Sequence, residues 1–586
     1  MAEEHKPIVF AGAHDMPETV MSISTMLWNR TGSWRYLRPQ FQDHVPACNE
    51  ACPVGNDIEG FIRLIGEGKP GEAWRLLKEE NPMPAVTGRV CYHPCENACN
   101  RKDFDQPTAI QALERYAADH AADVAPMELL REESGKTVAI VGAGPAGLAA
   151  AYHLRRLGHQ VTVFDALPQA GGLLRIGIPA YRLPRDILDA EVASIERLGV
   201  QFKLGVKVGV DLPFEKLGEY DAVFIATGVH LNRVLGIDGE DAEGVVPGLS
   251  LLAKVALGQK FDCGKNVVVI GGGNSAVDAA RVARRLGADA TIYYRRTRVE
   301  MPAFEEEVDD AEEEGVKLEL LAAPVKIVVQ DGRVAGVEMQ KMELGEPDES
   351  GRRRPEPVPG SEFIVPCDMV VSAIGEKGDI EFLPADVKQE WGKIVIDDFG
   401  LTGKPGVFAG GDIASPQQNV TQALGDGKHA AIAIDRYLGG ATMEEIGDNI
   451  IIGERGRASM AAYVGGRAHA KTIGQKRVIV FDDLNKWHFE KIERVTTRRL
   501  PDDQRTAGFE EINLGLTESE AMAAAERCFH CGVCTMCDIC YMFCPDVFIL
   551  HKTDGEYGYD INFDYCKGCG ICVHECPRAA MILVEE

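Results

Sequence analysis

The alternation of hydrophobic and polar residues along the chain predicts two nucleotide-binding units. One β-run (TVAIV) leads into the glycine turn at Gly142, a second (VVVI) leads into the turn at Gly271, and an Ala-rich helical stretch follows each turn. Another β-run then closes each unit, QVTVFDA with the acid Asp165 and ATIYYRR with Arg295 and Arg296. A strand, glycine turn, helix and strand in this order are typical of the Rossmann fold. The chain is therefore predicted to be an α/β protein with two dinucleotide sites.

The first unit is predicted to bind the pyrophosphate and a ribose of a dinucleotide. Its glycines, Gly142, Gly144 and Gly147, permit a tight turn, so that a pyrophosphate can rest on the N-terminus of the following helix. Asp165 stands 23 residues after Gly142, where its carboxylate can accept hydrogen bonds from a ribose diol.

The second unit differs because its second strand ends in basic residues. Guanidinium groups suit the 2′-phosphate of NADPH, whereas an acid would bind the 2′-hydroxyl of NADH. Arg295 and Arg296, with Arg298 close by, therefore favour NADPH; the alternative is that one arginine is merely exposed at a strand end. The predicted NAD(P)H-binding residues are Gly271, Gly272, Gly273, Asn274, Ser275, Ala276, Arg295 and Arg296. Because the chain has two such units, one dinucleotide is expected to donate to the other.

Two tandem cysteine runs stand at the end of the chain. Each has the spacing C-x2-C-x2-C-x3-C-P, in which three thiolates hold one [4Fe–4S] cluster and the fourth ligates the other cluster. Zinc is the alternative for CxxC pairs, but two tandem runs ending in CP are far more specific for iron–sulfur ligation. One predicted cluster has the ligands Cys534, Cys537, Cys540 and Cys576, and the other has Cys566, Cys569, Cys572 and Cys544. This stretch resembles the bacterial two-cluster ferredoxin module.

A small helical domain with further cysteines precedes the nucleotide units. Asp57 opens an amphipathic stretch (IEGFIRLIGEG), and EAWRLLKEEN continues with apolar residues at helical spacing. Around these helices stand the runs Cys48-x3-Cys52-Pro53 and Cys91-x3-Cys95-x3-Cys99. These spacings indicate iron–sulfur ligation, although they do not determine the cluster type.

Composition narrows the class of protein. The chain has 586 residues and a net charge of −28, which argues against binding nucleic acid or an anionic membrane surface. Its 17 cysteines come in clusters without a secretory signal, so they indicate metal ligands in a reducing cytoplasm rather than disulfides. No apolar run approaches the roughly 18 residues that span a bilayer. No Ser/His/Asp or Cys/His constellation is evident, so no catalytic side chain is predicted and the cofactors are expected to do the chemistry.

The segment NPMPAVTGRVCYHPCENACN, followed by AIQALERYAAD, closely resembles the N-terminal domain of the glutamate synthase small-subunit family. Dihydropyrimidine dehydrogenase and the large subunit of the bifurcating NADH-dependent ferredoxin:NADP oxidoreductase share that domain. The resemblance implies one cluster held by Cys52, Cys91, Cys95 and Glu114. Without the resemblance, Glu114 would be read as a solvated residue on a polar helix face.

The same resemblance implies that the first nucleotide unit binds FAD. The stretches GGLLRIGIPAYRLP, VFIATG, KPGVFAGGDIAS and NVTQALGDGKHAA are similar to the FAD-binding elements of the family. One departure is Glu376, where relatives often carry glutamine. The implied FAD-binding residues are Gly142, Gly144, Pro145, Ala146, Gly147, Asp165, Gly171, Gly172, Leu173, Arg175, Thr227, Gly228, Gly411, Asp412, Thr421, Gln422 and Ala423.

A helix that the family carries near its N-terminus stands here near the C-terminus, as GLTESEAMAAAERCFHC. In the family its two cysteines join two others in a second cluster. The cysteines left over in this chain are Cys48, Cys99, Cys528 and Cys531, so we hypothesise that they hold a further cluster and that the helix has moved in sequence but not in space. The alternatives are that Cys528 and Cys531 offer a competing frame for a ferredoxin cluster, or bind nothing. Cys263 and Cys367 are expected to be buried structural thiols.

These assignments divide the chain into predicted domains. They are an N-terminal arm (1–45), a helical Fe–S domain (46–130), an FAD domain in two segments (131–245 and 371–440), an NAD(P)H domain (246–370), a connector (441–515) and a helix with the ferredoxin domain (516–586). The arm is expected either to lie on the protein's own surface or to dock a partner.

The expected function is that of a cytoplasmic NAD(P)H:acceptor oxidoreductase, which passes electrons between NAD(P)H, FAD, three or four [4Fe–4S] clusters and a protein partner. The resemblance implies ferredoxin or a large catalytic subunit as the partner, such as a dissimilatory sulfite reductase or a 2-oxoacid or benzoyl-CoA system. A homodimer is left open, as are the direction of electron flow and bifurcation. The alternatives are a redox-responsive binding subunit without turnover and the small subunit of a glutamate synthase. A disulfide reductase is disfavoured because Cys263 and Cys367 do not form a CxxC pair.

Overall fold

The computed structural model describes residues 11–12, 30–348, 351–440, 449–465, 477–553 and 558–586. Most of the predicted arm (1–10 and 13–29) and two parts of the predicted connector (441–448 and 466–476) lie outside the described residues. Within the described part, no helix is long and apolar enough to cross a membrane.

The first described elements build the helical domain. They are β1 (Leu37–Phe41), β2 (Val45–Pro46), α1 (Ala47–Ala51), α2 (Ile58–Gly66), α3 (Pro70–Glu80), α4 (Pro84–Val90), α5 (Pro94–Asn97) and α6 (Ile110–Asp119). Helix α2 begins where the sequence predicts, because the Asp57 carboxylate caps it by accepting a hydrogen bond from the Gly60 amide at 3.1 Å. Its apolar stripe, which includes Phe61 and Ile65, is buried in the core of the domain.

The first nucleotide unit follows. Its elements are β3 (Thr137–Val141), α7 (Pro145–Arg156), β4 (Gln160–Asp165), α8 (Leu173–Ile176), α9 (Arg185–Glu196), β5 (Gln201–Leu204), β6 (Ala222–Ile225) and β7 (Leu231–Asn232). The strands β3, β4 and β6 are almost completely buried, as expected for a parallel sheet covered on both faces.

The second nucleotide unit is inserted next. It contains β8 (Val245–Pro247), α10 (Gly248–Ala256), β9 (Asn266–Ile270), α11 (Asn274–Arg285), β10 (Asp289–Tyr294), α12 (Glu305–Glu313), β11 (Lys317–Leu320), β12 (Ala322–Gln330), β13 (Arg333–Pro347), β14 (Arg353–Pro357), β15 (Phe363–Pro366) and β16 (Met369–Ser372). The parallel sheet has the order β11–β10–β9–β16–β8, and β12 to β15 form a separate antiparallel sheet. Because β16 completes the second sheet, the chain returns to the first unit after Ser372.

The returning segment completes the first sheet. Its elements are β17 (Glu376–Lys377), β18 (Gln389–Glu390), β19 (Lys393–Ile394), β20 (Val407–Ala409) and α13 (Val420–Leu438). Strand β20 pairs with β6, so the first sheet has the parallel order β20–β6–β3–β4–β5. Helix α13 packs along α7 and is buried over most of its length. The predicted α/β fold with two Rossmann-type units is confirmed.

The remaining elements join the C-terminal module to the helical domain. They are β21 (Ile451–Ile452), β22 (Arg457–Ala458), α14 (Met460–Tyr463), β23 (Val478–Ile479), β24 (Arg498–Arg499), α15 (Asp502–Arg505), β25 (Asn513–Gly515), α16 (Glu518–Glu526), α17 (Ile539–Phe543), β26 (Ile549–His551), β27 (Tyr559–Ile561), α18 (Ile571–Glu575) and β28 (Met581–Glu585). Strand β1 pairs antiparallel with β28, so the described part of the arm lies on the C-terminal module. Helix α16 packs against α2 and α6 of the helical domain.

Candidate functional site

The glycine turn of the first unit and the start of α11 in the second unit open into one shared cavity of about 550 Å³; Gly271, Gly272 and Gly273 are not in its lining. The carboxyl ends of β3 and β4 contribute Gly142 and Asp165, and the start of α11 contributes Asn274 and Ser275. Ligands of open α/β sheets bind at the carboxyl ends of the strands. Twelve of the predicted FAD residues line this cavity: Gly142, Gly144, Pro145, Ala146, Asp165, Gly172, Leu173, Thr227, Gly228, Gly411, Asp412 and Ala423.

The glycine turn of the first unit is built for close backbone packing. Gly142 has a φ of 111°, and a Cβ there would overlap the carbonyl oxygen of Ala226. The carboxylate of Asp165 accepts hydrogen bonds from the amides of Ala143 at 2.6 Å and Leu167 at 2.7 Å. Asp165 therefore ties the glycine turn to the end of β4, and it also lines the cavity where a ribose is predicted.

Two buried oxygens in the cavity have no partner among the described residues, namely Thr227 Oγ1 and Asp412 Oδ1. Burial raises the pKa of Asp412 to about 6, although the nearby Lys393 opposes this shift. Buried polar atoms are almost always hydrogen-bonded in native proteins. A ligand rich in hydroxyl and N–H groups, such as FAD, fits this lining.

The other predicted FAD residues lie around the cavity rather than in its lining. Gly147 packs on Gly142 of the turn. Arg175 donates to the Ala170 carbonyl at 2.7 Å and pairs with Asp189. Gly171 and Gln422 also lie outside the lining, and Thr421 lines a different cavity.

Several lining residues were not predicted. They include Lys207, Val208, His230, Gln418 and Asn419. These residues come from loops after β5 and β6 and from the turn before α13, none of which carries a glycine motif. Glu376, noted only as a departure from the family, also lines the cavity.

The predicted NAD(P)H residues fall into two environments. Gly271 and Gly272 pack too closely against Ala373 and the Tyr294 ring to leave room for a Cβ. Arg296 is buried, pairs with Asp348 at 2.7 Å and donates to the Arg353 carbonyl. Arg295 is exposed, and no hydrogen bond or ion pair joins it to a described residue. Of the two predicted arginines, only Arg295 presents an unengaged guanidinium.

Cys52, Cys91, Cys95 and Glu114 line one small enclosed cavity in the helical domain. Glu114 is buried on α6, and burial raises its pKa to about 7, opposed by hydrogen bonds from Thr87 and Asn81. Those hydrogen bonds, at 2.7 and 2.9 Å, both fall on Oε1. Three thiols and a carboxyl group around one cavity fit the ligand set that the sequence predicts for the first cluster.

Two segments border both this cavity and the large shared cavity. On α13, Ala423 lines the shared cavity, whereas Thr421 lines the cysteine cavity, with its Oγ1 3.9 Å from the sulfur of Cys91. Cys91 lines the cysteine cavity, whereas its neighbours Val90 and Tyr92 line the shared cavity. The two predicted cofactor sites are therefore neighbours across α13 and the segment that carries Cys91.

The four leftover cysteines meet at a second small cavity. Cys48, Cys99, Cys528 and Cys531 all line it. Burial raises the pKa of Cys48, and the Cys99, Cys528 and Cys531 thiols raise it further. Only Gly532 and Val533 separate Cys531 from Cys534 of the ferredoxin run, which limits the Cα–Cα distance between these two cysteines to about 11 Å. Helix α16, which precedes Cys528, packs against α2 and α6 of the helical domain.

The ferredoxin cysteines form two interleaved sets. Burial raises the pKa of Cys540 to about 12, with Cys534, Cys576 and Cys537 adding to it and Cys572 of the other run adding less. Burial also raises the pKa of Cys572 to about 12, with Cys566, Cys569 and Cys544 adding to it. Each set therefore contains three thiols of one run and the fourth thiol of the other run. Within the described residues, no three His, Cys, Asp or Glu side chains are arranged to hold a single metal ion.

Cys263 and Cys367 lie in different hydrophobic clusters and are both buried. Burial raises the pKa of each thiol. Neither lines the flavin cavity, so the structure gives no support to a dithiol next to the flavin.

Comparisons with known protein families match three parts of the chain. Residues 136–427 match the family described as pyridine nucleotide-disulphide oxidoreductase. Residues 41–125 match dihydropyrimidine dehydrogenase domain II with its 4Fe-4S cluster, and residues 559–582 match a 4Fe-4S binding domain.

Three relatives are each matched by this chain over most of their length. The chain is 40% identical over 516 residues (83% of this chain, 70% of the relative) to the NADP(+)-dependent formate dehydrogenase subunit beta of Moorella thermoacetica. It is 37% identical over 526 residues (83% and 75%) to the NADPH-Fe(3+) oxidoreductase subunit beta of Geobacter sulfurreducens. It is 38% identical over 418 residues (67% and 89%) to the glutamate synthase [NADPH] small chain of Escherichia coli.

Proposed function

Because the chain belongs to the glutamate synthase small-chain-like family of NADPH-dependent iron–sulfur flavoproteins, we propose that it is the electron-transfer subunit of a larger enzyme. It is an oxidoreductase that passes electrons between NADPH, a flavin, iron–sulfur clusters and a partner protein. The proposal adds which residues hold each cofactor, how many clusters there are, and what kind of partner is served.

One observation carries the proposal: the first glycine turn and the start of α11 share a cavity, and α13 and the Cys91 segment border both that cavity and the cavity of the first cysteine set. When bound, FAD accepts a hydride from NADPH and releases single electrons, which [4Fe–4S] clusters can carry one at a time. The protein supplies orientation and exclusion of water. Thr227 and Asp412 offer acceptors to the flavin, and Asn274 and Ser275 offer the start of α11 to a pyrophosphate.

Four cysteine sets support four [4Fe–4S] clusters. Cys52, Cys91, Cys95 and Glu114 would hold the first and Cys48, Cys99, Cys528 and Cys531 the second, and the two ferredoxin sets would hold the third and fourth. The first two sets each line a cavity. The second set draws ligands from both ends of the chain, so it would join the ferredoxin module to the helical domain.

The partner is proposed to be a separate catalytic subunit. Two of the relatives are named as beta subunits, of a formate dehydrogenase and of an NADPH-Fe(3+) oxidoreductase. Formate oxidation or CO₂ reduction by the partner is therefore the first candidate, alongside the sulfite reductase and 2-oxoacid systems inferred from the sequence.

Anaerobic affinity isolation of the native protein tests this function. A large subunit in stoichiometric amount should co-elute, and NADPH should bleach the flavin and cluster absorbance of the isolated chain. Failure of NADPH to bleach the cofactors would contradict the proposed oxidoreductase. Elution of an active chain alone would contradict the dedicated partner and leave free ferredoxin as the acceptor.

Replacing Arg295 with alanine is expected to weaken the binding of NADPH but not that of NADH. An unpaired guanidinium that meets the 2′-phosphate makes a charge-assisted contact, whose loss raises the KM for NADPH by about tenfold or more and leaves the KM for NADH nearly unchanged. Steady-state reduction of a dye with each nucleotide measures the ratio. Arg333→Ala, at an exposed arginine of the antiparallel sheet, is the matched control. Equal effects on both nucleotides would contradict the assignment.

FAD affinity is expected to fall as the pH drops through about 6. Burial raises the pKa of Asp412 to about 6, whereas a ribityl hydroxyl that donates to this carboxylate favours its ionised form. Below pH 6 binding must release a proton, so the Kd for FAD rises by up to about tenfold per pH unit, and above pH 6 it levels off. Titration of deflavinated protein with FAD between pH 5 and 8 measures this. Asp412→Asn should abolish the slope, and Asp386→Asn, at an exposed site, should retain it.

A further inference from the structure

The loop that carries Cys91 reaches into the shared nucleotide cavity. Tyr92, the next residue, lines that cavity together with Asn274 and Ser275. His93 adopts a left-handed conformation with a φ of 36°, and its amide donates a hydrogen bond to the sulfur of Cys91 at 3.2 Å. A non-glycine residue in this conformation persists only where its surroundings hold it. The hydrogen bond to Cys91 therefore depends on what packs against Tyr92 and His93.

Phe304 of the second nucleotide unit packs against both residues. Its ring centroid lies 5.1 Å from that of Tyr92 and 5.2 Å from that of His93, which it meets edge to face. Such aromatic pairs contribute attraction and a defined geometry beyond simple burial. Phe304 is thus a contact between the nucleotide domain and the loop between Cys91 and Cys95.

The backbone on either side of Phe304 is tied to the nucleotide turn. The Phe304 amide donates to Asn274 Oδ1 at 2.9 Å, and the Ala303 amide donates to the Gly272 carbonyl at 3.1 Å. Pro302 stands 4.0 Å from where a Cβ of Gly273 would be. The segment 302–304 therefore forms the back wall of the turn that is predicted to hold the nucleotide pyrophosphate.

Ion pairs of Arg182 form a second connection between the nucleotide-binding unit and the region of the Cys91 loop. Arg182, which lines the cavity with Tyr92, pairs with Asp278 of α11 at 2.8 Å and with Glu307 of α12 at 2.8 Å. Both helices leave the same turn region, and all three groups are largely buried. The nucleotide turn and the Cys91 loop are therefore joined by a packed, hydrogen-bonded path with little room for independent movement.

We propose that Phe304 is a positioning residue that couples occupancy of the NADP(H) site to the environment of the Cys91 sulfur. A nucleotide that engages the turn at Gly272–Asn274 stabilises the 302–304 segment, and Phe304 in turn holds His93 in the conformation that donates to Cys91. Hydrogen bonds to ligand sulfurs are a main determinant of cluster potential. Because binding linkage is reciprocal, the redox state of a cluster at Cys91 would change NADP⁺ affinity by the same factor. This inference rests on the proposed NADPH and cluster sites.

Hydrogen–deuterium exchange of the anaerobic holoprotein, with and without NADP⁺, tests the coupling. NADP⁺ should slow exchange of the peptide that contains the His93 amide by about threefold or more in the wild type. Phe304→Leu should bind NADP⁺ but lose this slowing. Phe261→Leu, which alters a ring near the N-terminal end of β9 and away from the turn, should keep it.

A redox titration supplies a second readout. NADP⁺ should shift the midpoint potential of one cluster in the wild type and in Phe261→Leu, and should leave it unshifted in Phe304→Leu. If Phe304→Leu no longer binds NADP⁺, Tyr92→Leu tests the coupling instead, because it removes the ring of the cysteine loop that packs on Phe304. With NADP⁺ bound, Tyr92→Leu should show no slowing of exchange at the His93 peptide. Slowing that is absent from NADP⁺-bound wild type, or that survives in both variants, overturns the coupling. Failure of the wild type to bind NADP⁺ would overturn the proposed function itself.

Discussion

Cys528→Ser is expected to remove one of four iron–sulfur clusters and to interrupt electron delivery from NADPH to the ferredoxin module. The wild-type holoprotein should contain about 16 iron atoms per chain and the variant about 12. NADPH should still bleach the flavin. Reduction of an external acceptor that takes electrons from the ferredoxin module should fall by about 10–100-fold.

The structure indicates that the variant should fold. The Cys528 sulfur accepts a hydrogen bond from the His530 amide at 3.4 Å. Other contacts of the loop do not involve the thiol, because the buried Arg527 donates to the carbonyls of Pro107 and Gln106 and pairs with Asp105. His530 pairs with Glu59 of α2 at 2.7 Å. The loss of iron can therefore be separated from the loss of structure by circular dichroism of the same sample.

The matched control is Cys263→Ser, since Cys263 is a buried thiol outside all four sets. This variant should keep about 16 iron atoms and full electron delivery. A wild-type content of about 12 iron atoms would contradict the second cluster, as would an unchanged iron content in Cys528→Ser. Cys531→Ser should behave like Cys528→Ser, because both thiols line the same cavity.

Lys428→Met should destabilise the protein by about 3–5 kcal/mol, because it leaves a buried carboxylate without its cation. Lys428 lies on α13 with no exposed surface and pairs with Glu80 of α3 at 2.5 Å. Its ammonium group also donates to the Val54 carbonyl, two residues after Cys52. The same Glu80 carboxylate accepts hydrogen bonds from the Ser459 hydroxyl at 2.5 Å and the Met460 amide at 2.9 Å.

The expected loss is large because one ion pair joins four parts of the chain: α13, α3, the loop of the first cysteine set, and the connector. Anaerobic urea denaturation of the holoprotein measures it. A chain with several domains and cofactors does not unfold in two states, so the midpoint of the first transition is compared. Flavin release should accompany that transition.

Lys404→Met is the control for removing a lysine from an ion pair. Its pair with Asp386 is partly exposed, so its loss should cost about 0–1 kcal/mol. Adding Glu80→Leu to Lys428→Met should recover part of the loss, because the orphaned charge is then removed as well. If the midpoint of the first transition of Lys428→Met indicates a loss of less than about 1 kcal/mol relative to the wild type, the other hydrogen-bond donors to Glu80 are sufficient to stabilise its carboxylate, which contradicts the prediction.

Much of the candidate site could be predicted because its signals are local. In each ferredoxin run three ligand thiols come from one short loop, so their spacing in the sequence already predicts that they lie together. The glycine turns at Gly142 and Gly271 likewise place a strand, a turn and a helix within a few residues. The family resemblance added Glu114, which the helical pattern alone would have left on a solvated face. In the structure Glu114 is buried and lines the same cavity as three cysteines.

Other features could not be predicted because they depend on which side of an element faces which neighbour. Thr421 and Ala423 are two residues apart on α13, yet they line different cavities. Arg295 and Arg296 are adjacent and directly follow β10, yet only Arg296 is buried against Asp348, which follows the long strand β13. The sequence identified residues 441–515 only as a connector, but Ser459 and Met460 are buried against Glu80.

By itself, the sequence determined the class of protein, its two dinucleotide units and the cysteine sets whose ligands lie close together along the chain, because each of these is encoded within a single supersecondary motif. Only the tertiary structure decided where the displaced helix lies, which thiols share a cavity across more than 400 residues, and which arginine is left unpaired. Those outcomes depend on packing between distant segments, and a pattern read along one chain carries no information about which buried faces meet.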